Sequence, residues 1–243
     1  MTRLPAALAL VLVLALLASP AAAAVRAPHA RLVLDQEFGG KTALSAVWTP
    51  GWFGTGITPA VNGNEQANYS SAHVSVRGGT LNLALTHTPS SADGDTRAWT
   101  GAIASTLGHF ALDYGSLEVR AYLPGSGGRV WDWPAIVLNG APGAGTEIDL
   151  AEGLAGVLAW HVHAAGGDTS GARFRGSSPG WHVFGVSWSP SALRFYYDGR
   201  YAGGVTQGIP GGPAYLYVNE SLGDGGPAHP AVLRVAWVRA WAP

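Results

Sequence analysis

Apolar and polar positions alternate with a period of two along several short stretches of this chain. Over residues 80–86, Leu81, Leu83 and Leu85 fall on one side and Asn82, Ala84 and Thr86 on the other. Successive strand side chains point to opposite faces, so this pattern predicts a β-strand with one buried face. Residues 116–123 alternate in the same way. Residues 181–188, 192–197 and 232–241 are rich in the aromatic and β-branched side chains that suit a pleated surface. Asp198-Gly199, set between Tyr197 and Arg200, has the chemistry of a two-residue hairpin turn. No long stretch after the N-terminal segment shows helical periodicity. Glycine-rich pieces at 125–128, 140–145 and 223–226 read as loops within one domain, of the kind that rim binding clefts. Many short strands without a repeat or a linker predict an all-β fold, a sandwich or barrel of jelly-roll type.

The N-terminal segment follows a different pattern. Arg3 precedes an apolar stretch, and Ser19-Pro20 leads into Ala21-Ala22-Ala23-Ala24. The apolar stretch is shorter than the roughly 20 residues that span a bilayer. A signal peptide over residues 1–24 is expected, leaving a secreted, extracellular domain over residues 25–243 with no membrane attachment. A domain of that size buries enough surface to stand without disulfides, and the chain has no cysteine. Thiolate nucleophiles and thiolate metal sites are thereby excluded. The formal charge is −1, which argues against nucleic acid or an anionic membrane as partner. Ten tryptophans and eight tyrosines fit a carbohydrate ligand, whose apolar faces stack on aromatic rings, but they fit plain core packing as well.

The chemistry concentrates in Glu147-Ile148-Asp149-Leu150-Ala151-Glu152. Three carboxylates sit in an apolar run, and no Lys or Arg occurs between Arg129 and Arg173 to offset them. Such crowding is costly unless the groups do chemistry or bind a cation. On a strand, Glu147 and Asp149 share a face, about 7 Å apart. Glu152 has the wrong parity. One extra residue at Leu150-Ala151, accommodated as a β-bulge, would bring it back to that face. Two glutamates facing a bound sugar suit retaining glycoside hydrolysis, which needs carboxyl groups about 5–5.5 Å apart. Mutual repulsion would raise one carboxyl and keep a proton on the acid. The alternative is an acidic strand that is solvated or binds calcium, although the extended run lacks the tight turn of a calcium loop.

The run resembles the catalytic signature of glycoside hydrolase family 16 in its bulged form, Glu-x-Asp-x-x-Glu. Other segments resemble family elements in the same order. They are Asn62-Gly63-Asn64-Glu65-Gln66, Tyr114-Gly115-Ser116-Leu117-Glu118-Val119-Arg120 and Trp133-Pro134-Ala135. They continue with Trp181 to Trp188 followed by Tyr196-Tyr197-Asp198-Gly199, and with Leu233-Arg234-Val235-Ala236-Trp237-Val238-Arg239. The bulged form is that of laminarinases, agarases and carrageenases. The resemblance implies a β-jelly roll of two curved antiparallel sheets, a cleft on the concave face and retention of configuration. By position, Glu147 would be the nucleophile, Asp149 its assistant and Glu152 the acid/base.

Two departures matter. Val137 stands where the family often has a further tryptophan, which leaves one sugar platform either missing or supplied by Trp131. Ala236 replaces an Asp that often joins a structural calcium site, which argues against calcium. No cofactor or catalytic metal is expected. Trp133 and Trp131 are candidate stacking platforms, with core packing as the alternative. Asn64 is a candidate sugar ligand, with turn formation as the alternative. His163 is expected to touch the nucleophile side or the sugar; His161 shares its face, and no third metal ligand is evident beside the pair.

These readings converge on a secreted, monomeric, retaining endo-β-glucanase acting on β-1,3 or mixed β-1,3-1,4 glucan. A galactan (agar or carrageenan) hydrolase or a transglycosylase would use the same carboxylates. A lectin-like carbohydrate-binding module could share the sandwich but has no need for the carboxylate triad.

Overall fold

The computed structural model describes residues 25, 29–41, 43–52, 54–141, 144–164, 169–177, 179–223 and 228–243. The leader expected over residues 1–24 lies outside the described residues. Two large sheets make the fold. One has eight strands, ordered Arg200–Val205, Ala192–Tyr197, Gly180–Ser189, Gly115–Leu123, Ala231–Ala242, Thr80–Leu85 and Val74–Arg77, with Arg31–Glu37 also paired to Ala231–Ala242. The other has nine strands and carries the carboxylates. Its order is Thr169–Arg173, Val157–His163, Glu147–Leu154, Trp133–Gly140, Ala214–Ser221, Trp99–Ser105, Ala67–Ser70 and Ile57–Thr58, with Thr49–Pro50 beside Trp99–Ser105. Among the described residues the one helical element is the short turn Ser71–His73. The all-β sandwich read from periodicity is the fold observed.

The alternation seen in the sequence explains the packing. Leu81 and Leu83 are fully buried, as are Leu117, Val119 and Ala121 on Gly115–Leu123. From the opposing sheet, Ile136, Leu138, Ile148, Leu150 and Leu216 enter the same apolar cluster. Each such side chain contributes on the order of 1.5–3 kcal/mol by leaving water. The Trp160 and Phe195 rings, one from each sheet, stack with centroids 4.5 Å apart. The twelve-residue strand Ala231–Ala242 is the spine of the eight-stranded sheet. One edge pairs with Gly115–Leu123, and the other is shared between Thr80–Leu85 and Arg31–Glu37.

Two details refine the expectations. Asp198 and Gly199 both have positive φ, +48° and +72°, which matches the twist of a tight hairpin turn joining Tyr197 to Arg200. The sheets are antiparallel with one exception, because Ala67–Ser70 runs parallel to Trp99–Ser105. Parallel neighbours need a long connection. Here Thr80–Leu85 in the other sheet lies between them in sequence, so the chain crosses the sandwich and returns.

Gly115 shows why its motif needs glycine. Its φ is +124°, and a Cβ there would lie 2.1 Å from the carbonyl oxygen of Trp241 on the neighbouring strand. Gly115→Ala must therefore push two paired strands apart. We expect a loss of at least about 1–3 kcal/mol in urea unfolding, and an unchanged midpoint would contradict this account.

Candidate active site

The strand Glu147–Leu154 is irregular where parity requires it to be. Asp149 pairs with His161 and Glu152 with Ala159, so three steps on one strand match two on the other. On the opposite edge, Val137 pairs with Asp149 and Ile136 with Ala151. The extra residue lies at Leu150-Ala151, and both of these side chains are buried in the core, 0% and 1% exposed. Placing two consecutive residues inward turns Glu152 back to the face that carries Glu147 and Asp149.

The register then builds three rows across this face. Tyr215, Asn139, Glu147 and His163 form one row. Tyr217, Val137, Asp149 and His161 form the next. Asn219, Ala135, Glu152 and Ala159 form the third. His163 Nε2 lies 3.3 Å from Asp149 Oδ2, and its Nδ1 is 3.1 Å from the Thr169 hydroxyl. His161 Nδ1 lies 2.7 Å from Glu152 Oε2 and 3.7 Å from Asp149 Oδ2. The indole N–H of Trp133 donates to Glu152 Oε1 at 2.8 Å.

Burial divides the three carboxyls. Asp149 is 2% exposed, and His163 Nε2 is the nearer of the two imidazole nitrogens that approach its Oδ2. Desolvation raises it to about 7; the charges of Glu147 and Glu152 add to the effect, while His163 opposes it. Desolvation also raises Glu147, with Glu152 adding and His163 opposing. For Glu152 desolvation is again the largest influence, but His161 and the Trp133 N–H together overcome it and hold the group below its usual value. His161 is raised in turn, first by the Glu152 carboxylate, and His163 first by Asp149. In the free cleft burial therefore favours a proton on Asp149, while the His161 ring and the Trp133 N–H favour the Glu152 anion.

Grooves flank the row on both sides. A cavity of about 730 Å³ includes Glu147 and His163, with Trp52, Asn139 and Tyr215 among its walls. A smaller one of about 430 Å³ lies by Glu152 and His161 and reaches Arg173. Trp52 packs edge-on against Tyr217, with centroids 5.1 Å apart. Desolvation raises both Tyr215 and Tyr217, and the Glu147 charge adds to it, so both remain neutral phenols that can donate to a sugar.

The remaining candidates fall in different places. Trp133 is at the site, but its ring nitrogen is committed to Glu152. Its backbone oxygen accepts from the Asn219 amide at 3.1 Å, which supports the indole from the next strand. Trp131 stacks on His229 with centroids 4.4 Å apart, so the imidazole covers one ring face. Asn64 is exposed, and Pro59, Ala60 and Val61 of the same region line the larger groove in its stead. Glu65 is buried and accepts from the Val61 N–H at 2.7 Å, which holds that groove wall in shape. Trp52, Tyr215 and Tyr217 carried no signal of their own, since a lone aromatic in a strand reads as core. His161 could have been found as the cross-strand partner of Asp149.

Two overlapping sets could hold a cation, Glu147 with Asp149 and His163, and Asp149 with Glu152 and His161. Each set holds one histidine and two carboxylates, so His161 and His163 do not share a set. Mixed imidazole and carboxylate donors suit a transition metal better than calcium, which prefers oxygen alone. At the position of the family's calcium site, Ala236 offers no carboxylate, and its carbonyl accepts from the Phe38 N–H at 3.3 Å. That position does not fit calcium.

Comparison with known proteins agrees with this geometry. The model of the family described as "Glycosyl hydrolases family 16" matches residues 62–221. The chain is 30% identical over 175 residues to the keratan-sulfate endo-1,4-beta-galactosidase of Sphingobacterium multivorum, covering 61% of this chain and 41% of that protein. It is 28% identical over 232 residues to the endo-1,3-1,4-beta-glycanase EglC of Rhizobium meliloti (strain 1021), covering 82% and 48%. The chain therefore spans less than half the length of these curated relatives. The laminarinase catalytic domain of Thermotoga maritima MSB8 superposes with a TM-score of 0.73 at 22% identity, covering 88% of this chain and 98% of that one, which shows a shared fold. The family match extends over most of the chain and includes the whole carboxylate strand: this protein belongs to glycosyl hydrolases family 16.

Proposed function

We propose that the chain is a secreted, retaining endo-β-glucanase that hydrolyses β-1,3 or mixed β-1,3-1,4 glucan. The observation that carries this reading is the bulge that aligns Glu147, Asp149 and Glu152 between two grooves. The Rhizobium meliloti glycanase and the Thermotoga maritima laminarinase favour a glucan substrate. Glu147 attacks the anomeric carbon as the glycosidic C–O bond breaks, and Glu152 gives its proton to the leaving oxygen. Water then attacks the same carbon, Glu152 takes its proton, and the bond to Glu147 breaks. Protonated Asp149 can donate to Glu147 and favour its anion. His161, whose nitrogen is 2.7 Å from Glu152 and whose ring the Glu152 carboxylate raises, can exchange a proton with that acid. Galactan hydrolysis is the second reading, favoured by the identity to the keratan-sulfate galactosidase.

Glu152→Gln should lower kcat by about 10²–10⁴-fold, and Glu147→Gln should remove detectable turnover, while both variants still bind polysaccharide. Rates at the wild-type level in both would remove these roles, and an inverted first-formed anomer by NMR would remove the nucleophile. Products from laminarin, barley β-glucan, agarose and keratan sulfate decide between the two readings.

Asp149 gives a second prediction. Its folded pKa of about 7 lies above the ordinary 3.8, so the folded chain binds this proton more tightly than the unfolded chain. The resulting stability is complete below about pH 4 and is lost as pH rises towards 7. Asp149→Asn has no such titration. The melting temperature of the variant relative to wild type should therefore rise between pH 4 and 7 and level off above. A gap that stays constant over that window would refute the assignment.

A further inference from the structure

A third cavity, of about 620 Å³, lies away from Glu147, Asp149 and Glu152. It opens at the end of the sandwich where the last strands of the two sheets, Arg200–Val205 and Thr169–Arg173, come together. His182, Tyr197, Asp198, Arg200 and Arg175 line it, and Tyr201 at its rim is 63% exposed.

The pocket has a rigid floor. The His182 ring stacks on Tyr197 with centroids 4.7 Å apart. Its Nδ1 lies 2.8 Å from Asp198 Oδ2, and Asp198 Oδ1 accepts from the Val183 N–H at 2.9 Å. Both carboxylate oxygens are thereby engaged. With Nδ1 held against Asp198, Nε2 is the ring nitrogen left to meet a ligand. That atom is buried and, among the described residues, has no hydrogen-bond partner. A buried nitrogen left in this state is costly unless a ligand completes it. Arg175 and Arg200 are exposed, and among the described residues neither has a carboxylate within ion-pair distance. Two guanidinium groups without an ion-pair partner thus flank an aromatic floor and a fixed imidazole nitrogen.

We propose that this pocket is a second glycan-binding site, separate from the hydrolytic groove, for a sugar unit bearing a negative group. The ring face would lie on the aromatic floor and a hydroxyl would hydrogen-bond with His182 Nε2. The carboxylate or sulfate would take forked hydrogen bonds from Arg175 and Arg200. Chain connectivity links the two sites: Arg173 lines the cavity beside Glu152, and Phe174 and Arg175 line this one. The strand Thr169–Arg173 between them is exposed at every position, so a polymer leaving the groove past Glu152 can cross it. The site does not depend on which bond the groove cleaves.

Calorimetric titration of the full chain tests the proposal, with Glu147→Gln as background to prevent turnover. Three oligosaccharides of equal length are compared, one neutral, one uronate and one sulfated. We expect the acidic sugars to bind more tightly than the neutral one, and the more tightly bound acid identifies the group recognised. Arg175→Ala with Arg200→Ala should weaken that binding about ten- to hundredfold. His182→Gln, which keeps both cations, should weaken it several-fold. In the otherwise wild-type chain, the arginine substitutions should leave the rate on a short neutral oligosaccharide within about twofold, since they lie outside the groove. Equal binding of neutral and acidic sugars, or acidic-sugar binding unchanged by the arginine substitutions, would overturn the site. Absence of glucan hydrolysis by the wild-type chain, with this binding intact, would count against the proposed function alone.

Discussion

A strand packed between a core and a cleft can show only alternate residues to the cleft, and the site depends on breaking that rule once. The extra residue at Leu150-Ala151 is stabilised by the core, because two consecutive apolar side chains are buried there. Without it Glu152 would point inward as an unpaired charge, at a cost of several kcal/mol. The apolar residues that look like filler between the carboxylates therefore set the geometry of the acids.

The same burial separates the three acids electrostatically. Asp149 sits deepest, and loss of water raises its carboxyl to about 7 even with His163 beside it. Glu152 also loses water, but the Trp133 N–H and the His161 ring more than compensate and hold it below its usual value. One strand thus holds two acids, three residues apart, that are shifted in opposite directions. The supports come from elsewhere, His161 from the next strand and Trp133 from the strand on the other side, itself held by Asn219. A change in any of these would act on catalysis by moving a proton.

Much of this was legible in the chain. The strands at 80–86 and 116–123 declared themselves by parity, and Asp198-Gly199 by the positive φ that its turn requires. The bulge could be inferred because an acid of the wrong parity on an apolar strand has no other economical explanation. Legibility ended where function needed distant partners. Asn64 read as a sugar ligand, yet it lies outside the groove lining, and its neighbour Glu65 is a buried brace for the groove wall. Trp131 read as a platform, but His229, nearly a hundred positions away in sequence by number, occupies one of its faces.

By itself the sequence determined the sandwich, the bulge and the identity of the three acids, because each follows from local periodicity and parity. Only the tertiary structure decided which acid is raised and which is lowered. That depends on depth of burial and on donors brought in by cross-strand register. It also decided that Trp52 and Tyr215 wall the cleft, with Tyr217 packed against Trp52, and that His182 and two arginines meet at the open end of the sandwich. Trp52 lies far along the chain from the two tyrosines, and strand pairing in three dimensions, which local pattern does not encode, is what joins them.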